Sequence, residues 1–270
     1  MNEVRSRDGT RIAYTRSGTG PALILIDGAL CSRAFGPSAK LSALLARHFT
    51  VYAYDRRGRG QSGDTASYSP ARELEDVAAL IETAGGSASL VGLSSGAALA
   101  LQAAADGLSI QSVVAYEPPY VDDAGQGGGA AHQANLTRLV ASGNRGGAVR
   151  YFMKDMVGAP AAAVVAMRMM PWIWRKLVAV AHTLPYDAAV MTDFQVPRAR
   201  FATIARPALV MNGSKTDPRL KEAARLVAGA IPGAEHRVLT GQTHNVKPDV
   251  LTRAVVEFLT ASPAVWSAAS

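Results

Sequence analysis

Cysteine is almost missing from this chain: Cys31 is the single one in 270 residues, so no intrachain disulfide can form. Long apolar runs are missing too. Nothing reaches the roughly 20 residues that cross a bilayer. The early apolar run at 22–26 is short and follows a polar start, so neither a signal peptide nor a membrane span is expected. A cytoplasmic protein with no membrane partner is the economical expectation. Acidic residues are in deficit, with 28 Lys and Arg against 21 Asp and Glu and a net charge of +7. The clustered cations with interleaved aromatics that mark a nucleic-acid surface are nevertheless absent. The tightest group is Arg56-Arg57-Gly58-Arg59, and the remaining cations are scattered. No nucleic-acid partner is expected, because a moderately basic surface argues only for solubility and weak attraction of anions.

What is present is an ordinary globular composition, 49% apolar and 18% charged, with length enough for a substantial core. Residues 4–7 and 10–15 flank Asp8-Gly9, a hairpin-turn dipeptide. From 22 to 116 short apolar runs alternate with helical spacing. Strands are expected at 22–26, 49–54, 88–91 and 110–116, and helices at 37–47, 70–83 and 95–105. The helix at 70–83 carries Leu74, Val77, Ala78 and Ile81 at helical intervals with its acids opposite. Such alternation predicts a parallel sheet with helices on both faces.

Between 121 and 200 the rhythm stops. A glycine-rich, flexible stretch at 125–129 precedes helical pieces at 131–140, 148–156, 161–168 and 172–181, with no strand among them. An insertion of this size is too long for an ordinary connection. The sheet resumes at 207–212, followed by a helix at 218–230, a strand at 235–239 and a last helix at 248–259. No internal repeat is visible. One α/β core, 1–120 with 201–270, carrying a helical insertion at 121–200, is the expected organisation.

The chemistry concentrates at Gly92-Leu93-Ser94-Ser95-Gly96, a Gly-x-Ser-x-Gly turn between an apolar strand and a small-residue helix. That context distinguishes it from a chance match in a chain with 25 Gly. A serine on such a strand-to-helix turn is pushed out beyond the strand end, and the helix start offers unpaired N–H groups for developing negative charge. Ser94 is the expected nucleophile, with the Ser95 N–H facing an oxyanion. A serine nucleophile needs a base, and an anion to orient that base. Among the histidines only His244 follows a late strand in a polar, glycine-containing loop. His48 sits at a helix end, His132 and His182 fall in the insertion, and His236 begins a strand. Two carboxylates compete for the orienting role, each just past a strand. Asp217 is expected, since it completes the chain order Ser, Asp, His, although Asp before Pro is also a helix N-cap. Glu117 is the competitor, since it too lies between Ser94 and His244 and the orienting acid can be Asp or Glu.

With these motifs the chain resembles the α/β-hydrolase fold superfamily, in its lid-bearing serine esterase and haloperoxidase-like group, over nearly its whole length. Tyr54-Asp55-Arg56-Arg57-Gly58-Arg59-Gly60-Gln61-Ser62-Gly63 resembles the family's loop one strand before the elbow strand, which makes the basic cluster structural. The stretch from Pro207 to Asp217 resembles its acid-bearing segment, and 121–200 its lid, or cap. The family's usual His-Gly after the first buried strand is here Asp27-Gly28-Ala29. The resemblance implies that the Ala29 N–H is the second oxyanion donor and that no metal or cofactor is needed. It also implies that Asp27 must point away from the oxyanion or be paired. Cys31 reads as a small buried residue.

Leu30, Met153, Met156 and Trp172 are the expected substrate contacts, soft and aromatic surface suited to an apolar acyl or aryl group. The expected activity is hydrolysis of a small or medium hydrophobic carboxylic ester or lactone by a monomer or homodimer. The same triad serves a C–C bond hydrolase, a hydroxynitrile-type lyase or a cofactor-free perhydrolase, and the fold also suits a non-enzymatic ligand receptor. Dehalogenases and epoxide hydrolases are disfavoured, because they place Asp where this chain has Ser94.

Overall fold

Side chains alternate along a strand, so a strand buried on both faces feeds two cores at once. In the computed structural model, which describes residues 2–121 and 128–261, β3 (Ala22–Ile26) does this. Leu23 and Leu25 enter one core, Ile24 and Ile26 the other. β4 (Thr50–Tyr54), β5 (Ala88–Leu93) and β7 (Ala208–Gly213) are buried at every position. With β1 (Asn2–Arg5), β2 (Arg11–Ser17), β6 (Ile110–Tyr116) and β8 (Glu235–Leu239) they form one sheet, in the order β1-β2-β4-β3-β5-β6-β7-β8. The hairpin β1–β2 and the pair β2–β4 are antiparallel; every other neighbouring pair is parallel.

On one face lie α1 (Ser38–Leu45), through Leu41 and Leu45, and α11 (Pro248–Ala261), through Leu251 and Val255. The other face carries α2 (Pro70–Thr83), α3 (Ser95–Ala105) and α10 (Pro218–Ala230). Full burial of one such leucine or valine is worth about 1.5–3 kcal/mol. After β3 the chain moves outward to β4, then returns to β3's other side as β5. That reversal opens a crevice at the carboxyl ends of β3 and β5, where open α/β sheets bind ligands.

Two of the four acids of α2 overturn their expected position on the outer face: Glu73 and Asp76 are fully buried, whereas Glu75 is half-buried and Glu82 exposed. The partners of the buried two lie outside the helix, which is why helical periodicity did not show them. Arg56 holds both Glu73 oxygens at 2.6 and 2.7 Å, and Arg57 holds both Asp76 oxygens at 2.8 and 2.6 Å.

Between β6 and β7 the described residues are helical: α4 (Gly128–Ala141), α5 (Arg145–Tyr151), α6 (Ala161–Arg168), α7 (Pro171–Val180), α8 (Leu184–Val190) and α9 (Arg198–Phe201). Residues 125–127 of the glycine-rich stretch lie outside the described residues, whereas Gly128 and Gly129 open α4. The single helix expected at 148–156 is two pieces, α5 and a π-helical turn at Phe152–Met156.

Candidate functional site

β5 delivers Ser94 to the crevice in a strained turn, at φ 54° and ψ −125°. A residue with a Cβ pays roughly 1–2 kcal/mol for a left-handed φ. The strain is held by hydrogen bonds, from the Ser94 amide to the Tyr116 carbonyl (2.9 Å) and from the Ala97 amide to the Ser94 carbonyl (2.9 Å). Two glycines let strand and helix close on each other. A Cβ at Gly92 would lie 2.3 Å from the Gly96 carbonyl oxygen, and one at Gly96 would lie 2.3 Å from that of Ile26.

His244 follows β8, and its Nδ1 lies 2.6 Å from Oε2 of Glu117, the residue immediately after β6. The expectation that Asp217 orients His244 is therefore corrected. Asp217 caps α10: its side chain accepts from the Arg219 amide at 2.8 Å and from the Arg219 guanidinium at 3.2 and 3.4 Å. Its own helix claims it, and its side chain is 40% exposed, against 0% for Glu117. The second oxygen of Glu117 accepts from the Gly213 amide (2.8 Å) and the Thr216 hydroxyl (2.5 Å). Burial works to raise the Glu117 carboxyl. The hydrogen bonds from His244, Gly213 and Thr216 outweigh it and hold the group below the ordinary glutamate range. Glu117 is thus an ionised carboxylate facing a histidine. Glu117 itself sits at φ 49°, the backbone turning sharply where it leaves the sheet.

Ser94 and His244 line one cavity of about 150 Å³, together with Ala29 and Ser95. The rest of its wall is mostly apolar, from Pro119, Val121, Phe152, Met156, Val157, Met191, Phe194 and Leu220, with the Asp217–Arg219 pair at the rim. Among the described residues, neither the Ala29 nor the Ser95 amide donates to another protein group. For Ser95 this follows from its place at the first position of α3, whose opening amides have no intrahelical acceptor.

Of the four expected substrate contacts only Met156 lines this cavity. Leu30 is corrected: at φ 61° its side chain turns into the core. Met153 packs against the same core from the π-helical turn. Trp172 is 64% exposed, since α7 turns Leu177 inward and leaves Trp172 on its outer side. Phe152, Met191 and Phe194 were missed by sequence reasoning, because nothing local marks which side of a short helix or turn meets a cavity.

Asp27 is buried and paired. The Ser38 hydroxyl donates to its Oδ2, while Oδ1 is buried without a hydrogen-bond partner. Burial pushes this carboxyl up to about 6, against the pull of Ser38, Arg59 and Arg56. Burial likewise pushes the Cys31 thiol up to about 12, leaving no thiolate for chemistry at neutral pH. The basic cluster is internal: Arg56, Arg57 and Arg59 are each at most 2% exposed and bonded to carboxylates. His132 meets the Tyr151 hydroxyl at 2.7 Å and His236 meets Asn212 at 2.8 Å, both away from Ser94's cavity.

A hydroxyl, an imidazole oriented by a buried carboxylate and two undonated amides around a largely apolar cavity are the parts needed for nucleophilic attack on a carbonyl. Among the described residues no group of His, Cys, Asp and Glu could hold a metal ion, and no helix is long and apolar enough to cross a membrane.

The sequence matches the model of the alpha/beta hydrolase family over residues 18–257. An alpha/beta hydrolase from Sphaerobacter thermophilus DSM 20745 is 49% identical, with 96% of this chain and 100% of that one covered and a TM-score of 0.88. A hydrolase from Pseudomonas aeruginosa PA01 is 25% identical over 96% of this chain and 97% of its own, with a TM-score of 0.74. The enol-lactonase from Burkholderia xenovorans LB400, at 23% identity, shares the fold with a TM-score of 0.70 over 96% of this chain and 100% of its own. No curated protein matches the chain.

Proposed function

The chain belongs to the alpha/beta hydrolase family, and on that premise we propose that it hydrolyses a small or medium hydrophobic carboxylic ester or lactone through an acyl-enzyme on Ser94. The observation that carries this reading is the Glu117–His244 contact at 2.6 Å beside a largely apolar cavity that Ser94 shares. The triad is then Ser94, His244 and Glu117, with the helical insertion at 121–200 serving as cap. The enol-lactonase among its structural neighbours lends the lactone class some support.

Glu117 accepts a hydrogen bond from Nδ1–H of His244, which leaves Nε2 unprotonated as the base. Ser94 Oγ attacks the carbonyl carbon while its proton passes to Nε2. The carbonyl π pair moves onto oxygen, and the amides of Ala29 and Ser95 receive that oxyanion. One such donor is typically worth about 3 kcal/mol in the transition state. Collapse expels the alkoxide, which takes the proton from the imidazolium. A water then repeats the sequence: it loses a proton to Nε2, attacks the acyl carbon, and releases the acid with Ser94 restored. In a lactone the leaving alcohol stays tethered to the acyl group. The apolar walls place an acyl or aryl group and exclude water from the reacting carbon.

A p-nitrophenyl ester series and a set of simple lactones test this, with wild type compared against Ser94→Ala. We expect a preference for alkyl and aryl acyl groups over short polar ones, and a fall in kcat of at least roughly 10³-fold in the variant. Activity retained by Ser94→Ala, or equal turnover of short polar esters, overturns the assignment.

A further inference from the structure

The Ala29 N–H belongs to the same peptide unit as the Gly28 carbonyl, and in a trans peptide the two point in opposite directions. Whatever grips the Gly28 oxygen therefore aims the Ala29 hydrogen. Arg59 grips it, with Nη1 donating at 2.7 Å. Arg56 donates to the preceding carbonyl, that of Asp27, at 3.3 Å. On the opposite side, the Ser95 side chain fixes the residue whose amide is the other donor. Its Oγ donates to Asp187 at 2.7 Å and accepts from Arg56 at 3.1 Å.

These holders meet on one carboxylate. Asp187 Oδ2 accepts from Arg59 at 2.6 Å, and Oδ1 accepts from Arg56 at 2.9 Å and from Ser95. Asp187 lies on α8, in the helical insertion, and is fully buried. Burial works to raise its carboxyl, but Arg59, Arg56 and the Ser95 hydroxyl hold it below the ordinary aspartate range, so it is an anion.

We propose that Asp187 is a positioning residue that sets both oxyanion donors at once, so that seating of the helical insertion on the body and assembly of the hole are one event. The proposal rests on the acyl-transfer reading above. The insertion thereby acts on the reaction from behind Ser94 as well as by walling the cavity. A charged guanidinium on the Gly28 carbonyl also polarises that peptide and strengthens its N–H as a donor. Loss of the carboxylate frees Arg59 to leave Gly28, and with it the aim of the Ala29 amide.

The test compares wild type with Asp187→Asn in three readouts: kcat and KM for a p-nitrophenyl ester, inhibition by an aryl trifluoromethyl ketone, and inhibition by the matching aryl alcohol. The ketone carbon bonds to Ser94 Oγ, whose proton passes to His244, and its oxygen becomes an oxyanion; the alcohol adds nothing to Ser94. We expect kcat to fall about 10–100-fold, below the loss of a whole donor. Ketone affinity should fall by a similar factor, while KM and alcohol affinity stay within about twofold. Unchanged kcat and ketone affinity in folded Asp187→Asn overturn the proposal. So does equal weakening of ketone and alcohol, which is what general loosening of the insertion produces. If Asp187→Asn does not fold, Ser95→Ala and Arg59→Lys each remove one arm. Both should show the same selective loss of ketone over alcohol, and its absence in both overturns the proposal. A wild type that neither cleaves esters nor binds the ketone overturns the acyl-transfer reading itself. That result differs from an active wild type matched by its variant.

Discussion

Glu117 and Asp217 stand at comparable places, each just beyond the carboxyl end of a parallel strand, and the sheet sets β6 beside β7. Their surroundings differ in every respect that matters to a base's partner. Glu117 is sealed, with a backbone amide, a hydroxyl and an imidazole ring all directed at it. Asp217 is half in solvent and satisfied by Arg219, two residues along. A carboxylate at a helix N-terminus already has a local role, whereas a glutamate followed by two prolines has none. The comparison teaches that the orienting acid is the one for which the local chain supplies no other use.

The largest effect that sharpens this contrast comes from Glu117→Gln. The amide matches the carboxylate in shape, but its NH2 donates toward Nδ1 of His244. The ring proton must then move to Nε2, and the base is lost. A fall in kcat of roughly 10³–10⁴-fold is expected, with KM little changed. Turnover within tenfold of wild type would return the orienting role to Asp217. Linkage adds a pH signature. The Glu117 carboxyl is lowered on folding, so its stabilisation is present above the ordinary glutamate value of about 4.3 and disappears as pH falls through the folded value. Glu117→Gln removes that portion of acid lability.

Asp27 is a third carboxylate at a strand end, after β3, and its shift has the opposite sign. Its folded value, about 6, exceeds the ordinary 3.8, so the folded state holds its proton more tightly than the unfolded chain does. Stability from this group is therefore greatest at low pH and declines as pH rises from about 4 to about 6, by at most about 3 kcal/mol. In Asp27→Asn that decline is absent. Thermal unfolding at pH 4 and pH 8 reads it directly: the difference between the two pH values should shrink in the variant. An unchanged difference would mean that Asp27 is ionised and fully compensated in the folded protein.

The elements nearest Ser94 were legible because their causes are local. Gly92 and Gly96 stand where a Cβ would collide, the helix at 70–83 has the expected bounds, and the strand expected at 88–91 runs on to Leu93. Three things were not legible, and each depends on a distant partner. Glu73 and Asp76 face inward only because Arg56 and Arg57 come from another loop. Asp187 has no sequence signal at all, since its partners lie 92 to 131 positions away. Trp172 was read by residue type as a substrate contact, yet the turn of α7 leaves it outside. Glu117 was among the candidates. Only the adjacency of β6 and β7 and the reach of His244 decided between it and Asp217.

The smallest expected effect completes the contrast. Asp217→Ala removes an N-cap whose carboxylate accepts from the Arg219 amide at 2.8 Å, and losing such a cap costs about 1 kcal/mol. Because the carboxyl is exposed, its pairing with the Arg219 guanidinium adds little. Pro218 at the first helical position still sets the start of α10, so the helix persists with one more orphan amide. The measurement is a denaturant midpoint alongside kcat: a small drop in stability with kcat within about threefold of wild type. A loss of kcat near that of Glu117→Gln would show that the rim pair, rather than the buried contact with His244, governs the reaction.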